Sequence, residues 1–393
     1  MQSGYAKRDV YLLALCQGLL ATANAVVITT SALAGQAMAP DGLATLPIFL
    51  TFVAIMATAL PASLLMKRIG RRAGFAIGAG FAIIAGLLGC GAILGGSFLL
   101  FCIASFGYGV FMGFGMYYRF AAADVASPAF RPRAISYVLA GGVVAAIAGP
   151  ELAKATDDLF GPALFAGSFA AVAAIGLLSL LVLAFLRIPP PAEEERTGEG
   201  RPLLEIMRQP AFIVALSAAA IAQGAMVLVM TATPLAMAFC GLGFDQTAFV
   251  IQWHVLGMFA PSFITGHLIG RFGVLNVMAA GAGLILACLG VALSGVEIQQ
   301  FWIALLLLGV GWNFMFVGGT SLLTTTYQPA EKAKVQAIND LIIFATAAFA
   351  SLSSGLLHYL IGWQAVNLSM IAPVVAALCA ILWLRHRRDR APA

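Results

Sequence analysis

The sequence predicts an all-α polytopic membrane protein, about twelve transmembrane helices in two related six-helix bundles. Three observations predict it. Of the 393 residues, 62% are hydrophobic and only 9% are charged, whereas a soluble domain carries about 25% charged residues to face water. The apolar residues fall in runs of roughly the 20 needed to cross a bilayer as a helix. The second half of the chain also repeats landmarks of the first.

In chain order, the first apolar run, 10–32, has no small-residue cleavage site before further membrane sequence begins. It therefore reads as a spanning helix and not as a signal peptide. Spans over 44–66, 73–94, 98–118, 134–152 and 162–186 follow. The polar stretch 187–209, with its Pro-Pro-Pro and Glu193-Glu194-Glu195, reads as a linker. Six more spans come after it: 211–237, 247–268, 274–293, 301–320, 335–357 and 363–384. The organisation is thus an N-terminal bundle over 1–186, a cytoplasmic linker over 187–209 and a C-terminal bundle over 210–393. Abundant glycine, 42 residues, suits helices that pack closely in lipid.

Orientation follows from lysine and arginine, which favour cytoplasmic loops. With the N-terminus inside, every basic residue except Lys154 falls in an inside segment, from Lys7 and Arg8 to the tail Arg385, Arg387, Arg388 and Arg390. Both termini and the linker are then cytoplasmic, and the chain is expected in a bacterial inner membrane. The net charge of +5 needs no nucleic-acid partner, because basic loops beside an anionic leaflet of the lipid bilayer account for it. The six cysteines are scattered and form no CxxC pair, so neither a disulfide framework nor a zinc knuckle is indicated.

The halves repeat at two landmarks. Ser63-Leu64-Leu65-Met66-Lys67-Arg68-Ile69-Gly70 closes helix 2, and Gly266-His267-Leu268-Ile269-Gly270-Arg271-Phe272-Gly273 closes helix 8, an offset of 203. Arg131-Pro132-Arg133-Ala134 corresponds to Lys332-Ala333-Lys334-Val335, an offset of 201. Two such halves split by a polar loop mark a transporter built of two bundles. Over its whole length the chain resembles the major facilitator superfamily. That family's signature between helices 2 and 3 is Gly-x-Leu-Ala-Asp-Arg-x-Gly-Arg-Arg. Arg68, Gly70, Arg71 and Arg72 match it, while Ser63 replaces the glycine and Lys67 the acid. The resemblance implies the major facilitator fold and transport by alternating access.

The densest chemical pattern lies on helices 7 and 8. Met226 and Met230 are four apart on one, and His254 and Met258 four apart on the other, so each pair shares a helix face. Folding the antiparallel pair about Leu242 sets Met230 level with His254 and Met226 level with Met258. Thioether and imidazole donors suit Cu(I) and suit magnesium, calcium or manganese badly. A monovalent cation moving inward also gains about 2.3 kcal/mol per 100 mV of membrane potential. Methionine is equally a gap-filler of apolar packing, and Met112 with Met116 in helix 4 is a second such pair. An ionisable residue within a membrane helix, however, points to function.

The MxxxM and HxxxM pair resembles the CcoA-type copper importers of the superfamily, which supply copper for cytochrome oxidase assembly. That resemblance implies Met226, Met230, His254 and Met258 as metal ligands. Cys240 just past helix 7 would capture or relay the ion, with a bystander thiol as the alternative. Copper would be the transported substrate and not a cofactor, handed on to a cytoplasmic copper chaperone. The same branch includes riboflavin carriers, for which Gln223, Trp253, Trp312 and Asn313 would line a pocket for an aromatic solute. A copper-binding sensor that moves nothing is another alternative, and drug efflux a weaker one.

Elsewhere, Asn339-Asp340 is expected to latch onto Lys332 or Lys334, and Arg119 to pair with Asp124. Glu151 reads as a solvated rim residue, and His267, His358 and His386 as solvated. No Walker motif, nucleophile elbow or HExxH occurs, so the chain shows no ATP-driven or enzymatic signature.

Overall fold

A computed structural model describes residues 2–40, 42–125, 131–188, 201–328 and 331–389. Its helices are α1 (Gln2–Met38), α2 (Leu46–Ile69), α3 (Arg71–Leu94), α4 (Phe98–Gly115), α5 (Tyr118–Val125), α6 (Arg131–Thr156) and α7 (Ala166–Ala184). They continue as α8 (Leu203–Met207), α9 (Pro210–Phe239), α10 (Phe244–Phe259), α11 (Ser262–Phe272), α12 (Val274–Ser294), α13 (Ile298–Thr324), α14 (Lys332–Leu360) and α15 (Trp363–Asp389). Among the described residues these are all α-helical and no strand occurs. The fold is all-α.

Among the described residues, ten helices are long and apolar enough to cross a membrane, and α10 with α11, bent by 42°, makes an eleventh. The sequence expectation of one continuous span over 247–268 is therefore corrected to a broken one. Pro261 has no N–H to extend the ladder of α10 and caps the start of α11 instead. The fifth expected span is occupied by α6, whose 26 residues extend about 39 Å at helical rise.

The chain forms two compact units, Met1–Ala192 with Thr247–Gln252, and Glu193–Gln246 with Trp253–Ala393. In the first, α1 packs on α6 and α7, α3 on α4 and α7, and α2 on α4. In the second, α9 packs on α13, α14 and α15, and α12 on α13 and α15. The tightest crossings use glycine. A Cβ on Gly109 of α4 would lie 2.3 Å from the Thr51 carbonyl of α2, so only the missing side chain permits that approach. Outer faces carry exposed leucine and phenylalanine, such as Leu87, Leu99 and Phe349, as a lipid-facing surface requires.

The repeat is visible in the backbone. Gly70 joins α2 to α3 at φ 88°, ψ 154°, and Gly273 joins α11 to α12 at φ 84°, ψ 149°. Both turns sit where an L side chain is strained, which explains glycine at the end of each repeated landmark. Within the signature, Arg72 Nη2 donates to the Ala184 carbonyl at 2.8 Å, supplying a cation to the C-terminus of α7, where the helix dipole favours one. The side chains of Ser63 and Lys67 lie outside the described residues.

Polar ties fix the ends of helices in each unit. Asp9 accepts from Arg8 Nη2 at 3.0 Å and from the Arg187 backbone N–H at 3.4 Å. In the second unit Glu331 accepts from Arg201 three times, at 2.8 to 2.9 Å, once through the backbone N–H, and from the Gln328 N–H at 2.9 Å. Arg201 and Gln209 both donate to the Thr326 carbonyl. Glu331 was not foreseen. It sits beside the basic Lys332 and Lys334 in a loop that reads as uniformly cationic. Lys334, expected to latch onto Asp340, donates instead to the Arg201 carbonyl. Asp340 accepts from Asn339 Nδ2 at 3.1 Å. The side chains of Lys332, Arg119 and Asp124 fall outside the described residues, so the Arg119–Asp124 pair does too. Glu151 is exposed and pairs with Lys154 at 2.9 Å.

Candidate functional site

In the second unit several buried polar side chains cross between spans, and α13 is the element that collects them. Gly319 of α13 lies against Ala215 and Ala219 of α9, and Trp312 Nε1 donates to Gln223 Oε1 at 2.8 Å. Positions on α13 fall as those on α9 rise, so these two helices run antiparallel. Against α10 the order is reversed. His254 meets Leu305, Gly309 abuts the His254 and Met258 backbone, and Asn313 reaches the Met258 carbonyl. These two helices run parallel.

With α13 as the ruler, Met226 and Met230 continue α9 past Gln223 to the levels of Gly309 and Leu305. Met230 thus shares a level with His254, and Met226 with Met258. All four are buried. Cys240 is set apart from them. It is the exposed C-cap residue of α9, ten residues past Met230, about 15 Å along the helix axis. Met237, one turn before it, is fully buried. Among the described residues no three His, Cys, Asp or Glu side chains gather as a metal cluster. The soft donors at this level of α9 and α10 are thioethers and one imidazole.

His254 is fully buried, with Nδ1 2.8 Å from the Leu305 carbonyl. A carbonyl only accepts, so Nδ1 carries the proton and Nε2 is left as a bare acceptor. Nε2 is buried without a hydrogen-bond partner among the described residues.

One turn further on, Asn313 repairs the break between α10 and α11. Its Nδ2 donates to the Met258 carbonyl at 2.7 Å and to Ser262 Oγ at 2.6 Å, and its Oδ1 accepts from Thr265 Oγ1 at 2.7 Å. A carbonyl freed by a helix break inside a membrane needs such a donor. Asn313, flagged in sequence as a pocket residue, is thereby assigned to the hinge.

Its neighbour Trp312 is the centre of an aromatic group. The indole stacks on Phe316 at 4.8 Å and 18°, and meets Phe259 edge-on at 6.4 Å. Trp253 lies T-shaped against Trp302 at 5.7 Å. Phe259 and Phe316 escaped sequence reasoning. A phenylalanine in an apolar run carries no signal of its own, and only spacing from Trp312 along α13 could have singled out Phe316. An apolar groove of about 270 Å³ at the start of α9, lined by Met207, Phe212, Ile213, Leu216 and Ile342, holds none of these residues.

The Major Facilitator Superfamily model matches residues 10–251 and again 218–393. The chain belongs to the major facilitator superfamily. It is a multi-pass membrane transporter with the fold of that superfamily. Among curated relatives it is 41% identical to the riboflavin transporter RfnT of Brucella anthropi, over 99% of this chain and 98% of the relative. It is 31% identical to the MFS-type transporter YdeG of Bacillus subtilis, over 98% of this chain and 94% of that one. A bacterial homologue of the human lysosomal transporter Spinster shares the fold at TM-score 0.72 and 17% identity, covering 99% of both chains. These relatives support the superfamily, and not the copper-importer branch within it that the paired methionine motifs resemble.

Proposed function

We propose that this chain is a secondary carrier that imports riboflavin or a closely related flat aromatic solute across the bacterial cytoplasmic membrane by alternating access. The observation that carries the reading is the end-to-end 41% identity to a riboflavin transporter. The Trp312 group supports it, since stacked indole and phenyl rings beside a fixed amide suit a planar heteroaromatic. In this reading the termini and the 187–209 linker face the cytoplasm, the bundles are 1–186 and 210–393, and no resident cofactor is needed. The test is uptake of labelled riboflavin by a riboflavin auxotroph that lacks its own importer. Growth and uptake at low external riboflavin support the reading, and a well-inserted protein that confers neither overturns it.

A second reading has its own observation. The unpartnered Nε2 of buried His254, level with Met230 and one turn from Met258, favours Cu(I) import through Met226, Met230, His254 and Met258. Cys240 would then serve at the outer end and a cytoplasmic chaperone would accept the ion. Cellular copper accumulation with wild type and with the quadruple alanine variant separates the two. Copper uptake that vanishes in the variant supports this second reading, and none in the wild type removes it.

A further inference from the structure

We propose that Gln223 reads a ring carbonyl of the transported solute and that Trp312 is the residue that positions it; the inference rests on the organic-solute reading above. The indole N–H is a donor only. Its 2.8 Å bond to Gln223 Oε1 therefore fixes which way round the amide sits. A flipped amide would set N–H against N–H. With the oxygen committed to Trp312, the two N–H donors of Nε2 point elsewhere, and among the described residues no side chain or carbonyl accepts from them. Gln223 is only 7% exposed, and its neighbours along α9 are Ala222, Gly224 and Ala225. Nε2 is not among the buried side-chain atoms that lack a partner, so this donor keeps contact with open space beside apolar neighbours, where a ligand that accepts can meet it.

The repeat shows that packing does not demand glutamine here. The position related by the offset of 201 is Thr22 of α1, whose hydroxyl donates to the Gly18 carbonyl at 2.8 Å within its own helix. Nothing at Thr22 reaches outward, whereas Gln223 reaches to α13. The chemistry of the amide also selects the ligand. An NH2 group presents its positive end, which offers nothing to a metal cation and a hydrogen bond to a carbonyl oxygen. Trp312, with Phe316 stacked on it and Phe259 at its edge, sets that donor beside flat aromatic surface. The class of solute that satisfies both is a planar heteroaromatic ring bearing at least one carbonyl.

The experiment measures riboflavin uptake kinetics, and competition by lumichrome, which keeps the ring dione, and by phenazine, which is flat but has no carbonyl. Gln223→Leu is expected to raise KM about tenfold with maximal rate retained, the effect of one lost hydrogen bond to a buried polar partner. It should also erase the preference for lumichrome over phenazine. Trp312→Phe keeps an aromatic ring but frees the amide, and should raise KM by a similar factor. The double variant should be no worse than either single one, since both remove the same contact. Wild type without riboflavin uptake overturns the organic-solute reading itself. Wild-type uptake with an unchanged KM and unchanged competitor preference in Gln223→Leu leaves that reading standing and overturns this inference. Additive losses in the double variant overturn the positioning role of Trp312. If Gln223→Leu fails to insert, Gln223→Asn carries the same test, because its shorter amide cannot hold both the indole and the ligand.

Discussion

The two units build one helix crossing with two chemistries. In the first, Thr51 of α2 donates to the Ser105 carbonyl of α4 at 3.1 Å, and Gly109 lets the backbones close. In the second, His254 stands at the offset of 203 from Thr51, Leu305 at 200 from Ser105 and Gly309 at 200 from Gly109. The same contact forms, His254 Nδ1 to the Leu305 carbonyl at 2.8 Å. A hydroxyl suffices for the crossing. What the imidazole adds is a second nitrogen that the packing does not use. The same contrast recurs at Gly113 against Asn313 and at Thr22 against Gln223. At these positions the first unit has a hydroxyl or glycine, and the second has amide and imidazole groups that bond from one helix to another. The amide and imidazole side chains at these repeated positions thus belong to the second unit.

The largest expected effect tests the shared part of that comparison. A Cβ at Gly109 would lie 2.3 Å from the Thr51 carbonyl, and one at Gly309 2.5 Å from the His254 carbonyl. Both obstacles are backbone and cannot rotate away. Gly109→Val and Gly309→Val should each cost about 3 kcal/mol or more, seen as loss of monodisperse protein on detergent extraction. A crossing that tolerates valine in one unit and not the other would break the equivalence.

Next in size is Asn313→Leu. It leaves the Met258 carbonyl and the Ser262 hydroxyl without their Asn313 donor, while Thr265 keeps its bond to the Pro261 carbonyl, at a cost of about 2 kcal/mol. A lowered thermal midpoint in detergent is the expected outcome. Gly113, its counterpart, makes no such bonds, so the loss should have no parallel in the first unit.

These examples also mark what the sequence makes legible. Spans and the repeat are readable because hydrophobic runs and glycine turns are local properties. His254 stands out because an ionisable residue in an apolar run is conspicuous. Its Leu305 partner is a backbone carbonyl 51 residues away, which no side-chain pattern announces. The sequence predicts a continuous span through Pro261, since the apolar run passes through it, whereas the distant Asn313 makes a break there tolerable. Gln223 and Trp312 each stand out as polar-tipped residues in apolar runs, but the bond that ties them spans 89 residues and depends on how α9 crosses α13.

His254→Thr sharpens the comparison by copying the first unit into the second. Stability should change by less than about 1 kcal/mol, because Thr51 makes the equivalent bond in its own unit. Riboflavin uptake is expected to persist under the organic-solute reading, while copper uptake, if the wild type shows any, should vanish. A large destabilisation would mean that His254 is needed for packing after all.

The smallest effect concerns the ties at the helix ends, where both units use a buried acid to accept a backbone N–H, Asp9 from Arg187 and Glu331 from Arg201. The Arg201 guanidinium hydrogen-bonded to it, helped by the Gln328 N–H, lowers the Glu331 carboxyl from the ordinary 4.5 to about 2. A carboxyl whose folded value is depressed binds protons more readily when unfolded, so it stabilises the fold above the unfolded value and stops doing so as pH falls through the folded one. Wild type should therefore show no contribution from this group to a change in thermal midpoint between about pH 8 and 5, and a decline from about 4.5 towards 2. Glu331→Gln keeps the shape but cannot ionise. Its midpoint should start lower at neutral pH and approach that of the wild type in acid. Parallel curves for the two proteins down the acid limb would show that the Arg201–Glu331 tie holds by its neutral hydrogen bonds and not by charge.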